Sequence, residues 1–498
     1  VLSLTPLLAT VPALPQVLDP LHAVDIADLH GFWIQKLINT RFLVLYFLPL
    51  LPILFFAPLR IRRPAIIATG AAFLVYVFGA ILAAFYLISC IAFFRLAERF
   101  AIESRRTDVI RWGPPLAAIL IISIWYQASQ KIFDIAVPPA AAATLFEYAP
   151  WLFPIGQRGF SWEPLWRAPT AVPFPFAAFL DPHLIGTAYL AVRMLHYYSE
   201  VRRDGIPQSR RNLPDFLAWL FFAPSLMQGP IARYTDFQDQ LPRWNAQRSP
   251  AAFAYGLWRI AWGVAKAIVA HIYLLPVVVQ YFLPRVVELP AGGRATLSPF
   301  YHQPETIPGF WFLYFGVAIH FAWLYLEFSG YCDVAIGMSR LLGFRLLENF
   351  DWVWISRSLR EFWRRWHISL SLILRDYIYI PLGGNRAPLR NLVLTFVICG
   401  LWHRWIPSMW QWGLLMGAMV WLNQRWVDAI KRIESRPDSL AARVRAAWIR
   451  VPLLPQLAAW ALTMHAFFLS ILVFFAGVEG LAVVREIFLR IGRTAVVQ

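Results

Sequence analysis

Long apolar runs broken by arginine, proline and glycine recur through this chain, and about 20 apolar residues of helix suffice to cross the hydrocarbon of a bilayer. Candidate runs cover Phe42–Pro58, Ala65–Phe94, Pro114–Tyr126, Leu184–Tyr198, Phe216–Met227, Phe253–Leu283, Pro308–Phe328, Leu389–Trp402, Trp410–Trp426 and Leu454–Gly477. They predict about ten membrane segments, some re-entrant or broken because their runs are too short to span alone. Ala65–Phe94 is long enough to tilt strongly. Of 498 residues, 59% are apolar and 15% charged, whereas a soluble domain carries about 25% charged residues. A soluble chain of this length would need charged surface on two or more domains, and a disordered one would be far less apolar. The predicted fold class is all-α, a polytopic transmembrane helical protein.

The net charge of +17 lies mostly between apolar runs, at Arg60–Arg63, Arg202–Arg211 and Arg357–Arg365. That pattern reads as cytoplasmic loops in contact with membrane lipids, and nucleic acid is not expected as a partner. Lysine occurs only at Lys36, Lys131, Lys266 and Lys431, so arginine, whose planar fork suits phosphate, dominates the basic set. Cys90, Cys332 and Cys399 have no C-x-x-C spacing and indicate neither a disulfide framework nor a zinc site. Residues 1–40 lack a basic n-region and contain Pro6, Pro12, Pro15 and Pro20, so an interfacial segment is expected there rather than a cleavable signal peptide. Glu147–Pro182, rich in proline and aromatics, reads as a second interfacial stretch. Val286–Ile307, poor in arginine, reads as an extracytoplasmic loop. The chain shows no internal repeat, which argues against a transporter built from inverted halves.

Polar residues inside apolar sequence are costly and therefore candidates for function. They concentrate in one block: Glu327-Phe-Ser-Gly-Tyr-Cys-Asp333, Glu348-Asn349-Phe350, Arg360-Glu-Phe-Trp-Arg-Arg-Trp-His367-Ile-Ser-Leu-Ser371, Arg375-Asp-Tyr-Ile-Tyr-Ile-Pro381-Leu-Gly-Gly384 and Gly400-Leu-Trp-His403. His403 is surrounded in sequence by Trp402, Trp405, Trp410 and Trp412 with almost no acidic neighbour. A neutral imidazole can take a proton from a hydroxyl and later give it to a leaving group; a packed, hydrogen-bonded histidine is the alternative. Trp363, His367 and Ser371 are spaced to share one helix face, with Arg365 opposite. Pro381 and Gly383-Gly384 break any helix after them, allowing the chain to turn and bring His367 and His403 together. Asp333, Asn349, Asp376 and Tyr379 are polar groups that a cavity-lined region could hold, and Asp376 can satisfy the charge of Arg375. No third metal ligand accompanies the two histidines and neither H-E-x-x-H nor G-x-S-x-G occurs, so neither a catalytic zinc nor a serine nucleophile is expected.

This block closely resembles the membrane-bound O-acyltransferase (MBOAT) family, in its bacterial branch that includes alginate O-acetyltransferases and teichoic-acid D-alanyl transferases. Gly229-Pro-Ile-x-Arg233, Asp236-Phe237, Gly263 and Lys266 extend the match upstream. The resemblance implies an MBOAT-like fold with broken or re-entrant helices around a central tunnel. It implies four stretches: an interfacial segment at 1–40, peripheral helices and an interfacial loop at 41–180, the catalytic core at 181–478 and a tail at 479–498. The implied activity is transfer of an acyl group, expected to be acetyl, from a cytoplasmic thioester to a hydroxyl of a secreted or cell-surface polysaccharide. Coenzyme A or an acyl carrier protein would present the thioester, with no bound cofactor. His403 and His367 are the expected catalytic residues, Asn349, Asp376, Tyr379, Asp333 and Trp402 support them, and Arg364, Arg365 and Arg375 meet the donor. The implied setting is the bacterial inner membrane, with an extracytoplasmic acyltransferase as a further partner. Departures from the family pattern are Glu327 for Asp, Cys332 for Ser, Val353 for Pro, and Arg404 for the Gly after the last histidine, which bears on acceptor size. Two other readings stand beside this one: a transporter or flippase for a lipid-linked saccharide, and an acyltransferase of the same family acting on a protein or lipid.

Overall fold

The computed structural model describes residues 48–103 and 182–496, apart from 57, 79, 227, 244–248, 283–284, 289–293, 404–405 and 437. The expectations for residues 1–40, Pro114–Tyr126 and Glu147–Pro182, save its last residue, lie outside this range. The helices are α1 (Leu48–Phe56), α2 (Leu59–Phe78), α3 (Ala80–Glu103), α4 (Pro182–Arg202), α5 (Leu213–Leu220), α6 (Tyr234–Arg243), α7 (Pro250–Val269), α8 (Pro299–His302), α9 (Phe310–Leu341), α10 (Leu359–Arg365), α11 (Ile368–Leu374), α12 (Pro388–His403), α13 (Pro407–Glu434), α14 (Leu440–Ile449), α15 (Leu454–Ala476) and α16 (Ala482–Val496). Among the described residues, three stretches are long and apolar enough to cross a membrane: Pro250–Val277, Phe310–Leu341 and Leu454–Arg493. The architecture is that of a helical membrane protein.

Two sequence expectations need correction. The Ala65–Phe94 run is helical on both sides of residue 79, which lies outside the described residues. Phe216–Met227 is no span at all: its helix, α5, has 8 residues and so reaches only about 12 Å. It is apolar because Phe216 through Leu220 are all buried against protein. The Val286–Ile307 stretch is not a plain loop. It holds most of an antiparallel hairpin, β1 (Arg285–Glu288) with β2 (Arg294–Leu297), in which Val286 faces Thr296, followed by α8.

The chain divides into two units, one containing the described residues up to Pro276 with Tyr325–Leu347, the other Val277–Leu324 with the residues from Glu348 onward. In the first unit, α7 crosses the C-terminal part of α9 at backbone contact. A Cβ on Gly263 would lie 2.5 Å from the Gly330 carbonyl oxygen, and one on Gly337 would lie 2.5 Å from that of Gly256. The two glycines of each helix are two turns apart, so the helices run antiparallel along a small-residue seam. Charges lie along the same seam. Asp333 pairs with Arg259 and, at 2.6 Å, with the Lys266 ammonium, while His271 and Glu327 approach to 3.4 Å. Elsewhere in this unit the fully buried Arg193 donates to the carbonyls of Trp219 and Leu220 at 3.2 and 2.9 Å and to the Ser225 hydroxyl at 2.7 Å. It thereby adds a donor to the carbonyls at the end of the short α5, of which that of Trp219 also accepts from the Phe222 N–H at 3.4 Å.

In the second unit, α12 and α13 form a tight hairpin. Cβ atoms on Gly413 and Gly417 would each lie 2.5 Å from the Cα of Val397 and Val393, and one on Gly400 would lie 2.2 Å from the Met409 carbonyl oxygen. Within the expected tail at 479–498, Ala482–Val496 form α16, which is anchored by Arg490: it donates to the carbonyls of Pro304, Glu305, Ile307 and Gly309 and pairs with Glu486 at 3.0 Å.

Because the α7–α9 seam has no room for a side chain at Gly263, Gly263→Ala should cost about 1–3 kcal/mol of stability. Gly492→Ala in α16, where nothing lies within 4 Å of the added carbon, should cost none. Thermal unfolding of the two purified variants in the same detergent distinguishes them.

Candidate active site

His403 is the last residue of α12, and the Gly400–Met409 contact one turn before it fixes the end of that helix against α13. Its imidazole is exposed and edged by aromatic rings: Trp402 at 4.7 Å, Phe474 of α15 at 5.4 Å and Trp412 of α13 at 6.4 Å between centroids. Trp402 also lies 6.3 Å from the ring of His367, so both histidines border the same indole. The turn at Pro381–Gly384 joins their two segments. Gly383 and Gly384 adopt left-handed backbone there, and Arg390 and Asn391 of α12 donate to the carbonyls of Leu382 and Gly384 at 3.0 and 2.7 Å. The expected convergence of His367 and His403 after this turn is present.

His367 itself departs from expectation. The run from Trp363 to Ser371 is not one helix: α10 ends at Arg365, Trp366 is extended, and His367 has φ 45° and ψ 52°, a left-handed conformation. Trp363, His367 and Ser371 therefore do not share a helix face. The reason lies 18 residues upstream of His367, in Asn349. Its backbone carbonyl accepts from the Ile368 N–H at 3.0 Å, and its side-chain oxygen accepts from the N–H and hydroxyl of Ser369 at 3.1 and 2.8 Å. An N-cap side chain normally takes the second or third N–H of its helix. Here His367 occupies the cap position without capping, and Asn349 supplies the acceptor from outside. The Asp351 N–H bonds the Arg365 carbonyl at 2.9 Å on the other side of the break. A non-glycine residue with positive φ carries strain of about 1–3 kcal/mol, held only where the surroundings fix it. Asn349 and Asp351 do so. His367 lies between helices too short to cross a bilayer, and burial, then the charge His403 can carry, hold its imidazole well below the usual pKa range and hence neutral.

Trp363 turns to another task, donating its indole N–H to the Met416 sulfur at 3.3 Å and packing on Phe396 at 4.9 Å. Arg375 and Asp376 satisfy each other at 2.7 Å, as their adjacency suggested. Tyr379 donates to the Asn385 side-chain oxygen at 2.8 Å. Arg365 is tied to Glu361 and Asp351 at 3.0 and 3.1 Å, whereas Arg364 is exposed and forms no ion pair among the described residues. Asp333, in the first unit, has Arg259 and Lys266 as partners. Arg404 and Trp405 lie outside the described residues. Sequence reasoning missed Ser369 and Phe474. Ser369 was legible as the second residue of a helix start, had the break been seen, while Phe474 is one aromatic among many in an apolar run.

Comparison with known proteins adds three findings. The family model described as MBOAT, membrane-bound O-acyltransferase family, matches residues 206–459, a range that includes both histidines. The chain is 36% identical over 272 residues to the probable alginate O-acetylase AlgI of Azotobacter vinelandii, covering 54% of this chain and 48% of that protein. It is 31% identical to the peptidoglycan O-acetyltransferase of Helicobacter pylori (46% and 40% covered) and 28% to the teichoic acid D-alanyltransferase of Bacillus subtilis (50% and 62%). The chain thus spans about half the length of the curated relatives it matches.

If Asn349 holds the backbone at His367, Asn349→Leu should destabilise the protein by about 1–3 kcal/mol, since it leaves a buried N–H and hydroxyl unmatched. It should also make His367 react faster with diethyl pyrocarbonate. Asn349→Asp, which keeps the acceptor, should leave His367 nearly as protected; peptide mapping of modified histidines reads both.

Proposed function

The chain belongs to the membrane-bound O-acyltransferase family, and on that premise we propose that it moves an acyl group, acetyl first among candidates, from a cytoplasmic thioester to a hydroxyl of a secreted or cell-surface polysaccharide. The observation that supports this reading is that His403 and His367 both border Trp402, one imidazole exposed and the other buried. Residues 181–478 are taken as the catalytic core, and the bacterial inner membrane as its location.

His403 is the general base. It takes the proton of the acceptor hydroxyl as the oxygen attacks the thioester carbonyl, forming the new C–O bond. The imidazolium stands at the C-terminal end of α12, where the helix's partial negative charge favours it. When the tetrahedral intermediate collapses, the C–S bond breaks and the departing thiolate receives the proton that His403 holds, so the enzyme returns unchanged with one thiol released. His367, neutral and rigidly held, orients the substrate or His403 rather than exchanging the proton. Trp402, Trp412 and Phe474 keep bulk water from the reacting carbonyl, which limits hydrolysis of the thioester.

At the donor side, the ion pairs redistribute the roles of the arginines. Arg365 is committed to Glu361 and Asp351 and Arg375 to Asp376, so Arg364 has the charge free for a phosphate of coenzyme A or of a phosphopantetheine carrier. Asp376 and Tyr379 support this side by fixing Arg375 and Asn385. The polysaccharide reaches His403 from the opposite face, and an extracytoplasmic acyltransferase could complete the transfer.

Membranes containing the wild-type protein should release thiol from radiolabelled acetyl-coenzyme A, or from an acetylated carrier protein, in step with labelling of the polysaccharide. His403→Ala should lower that rate at least about 100-fold with the protein still present at wild-type level. Transfer at the wild-type rate in this variant would remove His403 from catalysis. Arg364→Ala should instead raise the KM for the donor with little change in kcat.

A further inference from the structure

The connection between α13 and α15 presents its hydrophobic side outward. In α14, Leu440, Val444 and Trp448 follow one another at a spacing of four residues and so form one stripe. Their exposures are 77%, 61% and 40%, while Arg445 and Ala446 on the other side are half-buried. A surface helix of a soluble protein has the opposite arrangement, with its apolar stripe inward. The exposed stripe continues through Leu453 and Leu454 into the outer face of α15, where Leu457 and Leu462 are 56% and 71% exposed. That helix lies within Leu454–Arg493, one of the stretches able to cross a membrane.

Charge flanks the stripe. Arg443 and Arg450 are exposed on one side of it and form no ion pair among the described residues, whereas Arg445 faces inward to Glu434 at 3.5 Å. From the end of α13 through Arg450, the basic residues Lys431, Arg432, Arg436, Arg443, Arg445 and Arg450 outnumber the acidic Glu434 and Asp438. An outward apolar stripe edged by unpaired arginines and continuous with a membrane-crossing helix is the arrangement of a segment lying in the headgroup layer.

We propose that α14 is an interfacial helix that inserts Leu440, Val444 and Trp448 at the acyl boundary and binds anionic phospholipid headgroups through Arg443 and Arg450. The membrane itself is the occupant, because the stripe is contiguous with a surface that must already face lipid, and because the free charges match anionic headgroups. An acidic soluble partner would use the arginines and leave the leucine, valine and tryptophan in water.

The full-length protein carrying Val444→Cys, labelled there with an environment-sensitive fluorophore, is reconstituted in nanodiscs of phosphatidylcholine alone or with phosphatidylglycerol. Cys90, Cys332 and Cys399 are buried, and a labelled wild-type control measures any reaction at them. The proposal expects a blue-shifted emission and protection from aqueous iodide in the phosphatidylglycerol discs, lost in detergent-free protein held by a polymer that strips lipid. Arg443→Gln and Arg450→Gln should each weaken the preference for anionic lipid about fivefold. Arg445→Gln, whose charge is already paired, should change it less. Three outcomes overturn the proposal: a probe quenched equally in every disc, which leaves the face open to a soluble partner; protection without dependence on lipid charge; or protection in lipid-free protein, which means that protein covers the stripe. None of these readouts depends on acyl transfer, so failure here leaves the catalytic reading untouched.

Discussion

A polar group inside a helical membrane body has to find its partner within the protein, because hydrocarbon offers none and leaving it unmatched costs several kcal/mol. The described structure is organised around that requirement. Asp333 stands between Arg259 and Lys266 on the glycine seam of α7 and α9, and Arg193 donates to carbonyls at the end of α5. In the second unit, Asn349 takes the free N–H groups at the start of α11. In each case a residue distant in sequence completes a helix end or cancels a charge that the local chain cannot satisfy.

The placement of His367 follows from the same requirement. A chain that stayed helical from Leu359 to Leu374 would have kept His367 in register with Trp363 and Ser371. Asn349 and Asp351 instead open the helix and hold a left-handed residue where the two pieces meet. That break gives His367 a fixed, buried orientation at one edge of Trp402. His403 gains its place differently, from glycines that let α12 and α13 approach to backbone contact, so that the helix ends with its imidazole exposed against Phe474 and Trp412. One imidazole is rigid and dry and the other is accessible, a division of labour suited to positioning and proton transfer respectively.

Arginine plays three separate parts in this chain, and its abundance alone did not distinguish them. Arg193, Arg259 and Arg490 are structural, bonded to carbonyls or carboxylates. Arg365 and Arg375 are committed to neighbouring acids, while Arg364, Arg443 and Arg450 keep exposed charge without an ion pair among the described residues. Of these eight arginines, the last three are electrostatically available to a phosphate, whether on a donor or on a lipid.

The apolar runs determined by themselves that the protein is helical and membrane-bound, since hydrocarbon thickness fixes helix length and forbids unpaired backbone. The polar block from Glu327 to His403 likewise singled out the region proposed for chemistry, because charge within apolar sequence is costly. The Arg375–Asp376 pair was legible because its members are adjacent. Tertiary structure decided what periodicity could not show. Phe216–Leu220 looked like part of a span and is the buried part of an eight-residue helix, because burial against protein and burial in lipid require the same side chains. The helix break at His367 was hidden because the residue that causes it, Asn349, precedes it by five helical turns of sequence. Hydrogen bonds between such distant residues leave no mark on local propensity, and it is they that fix where His367 stands, as the close approach of α12 and α13 at their glycines fixes His403.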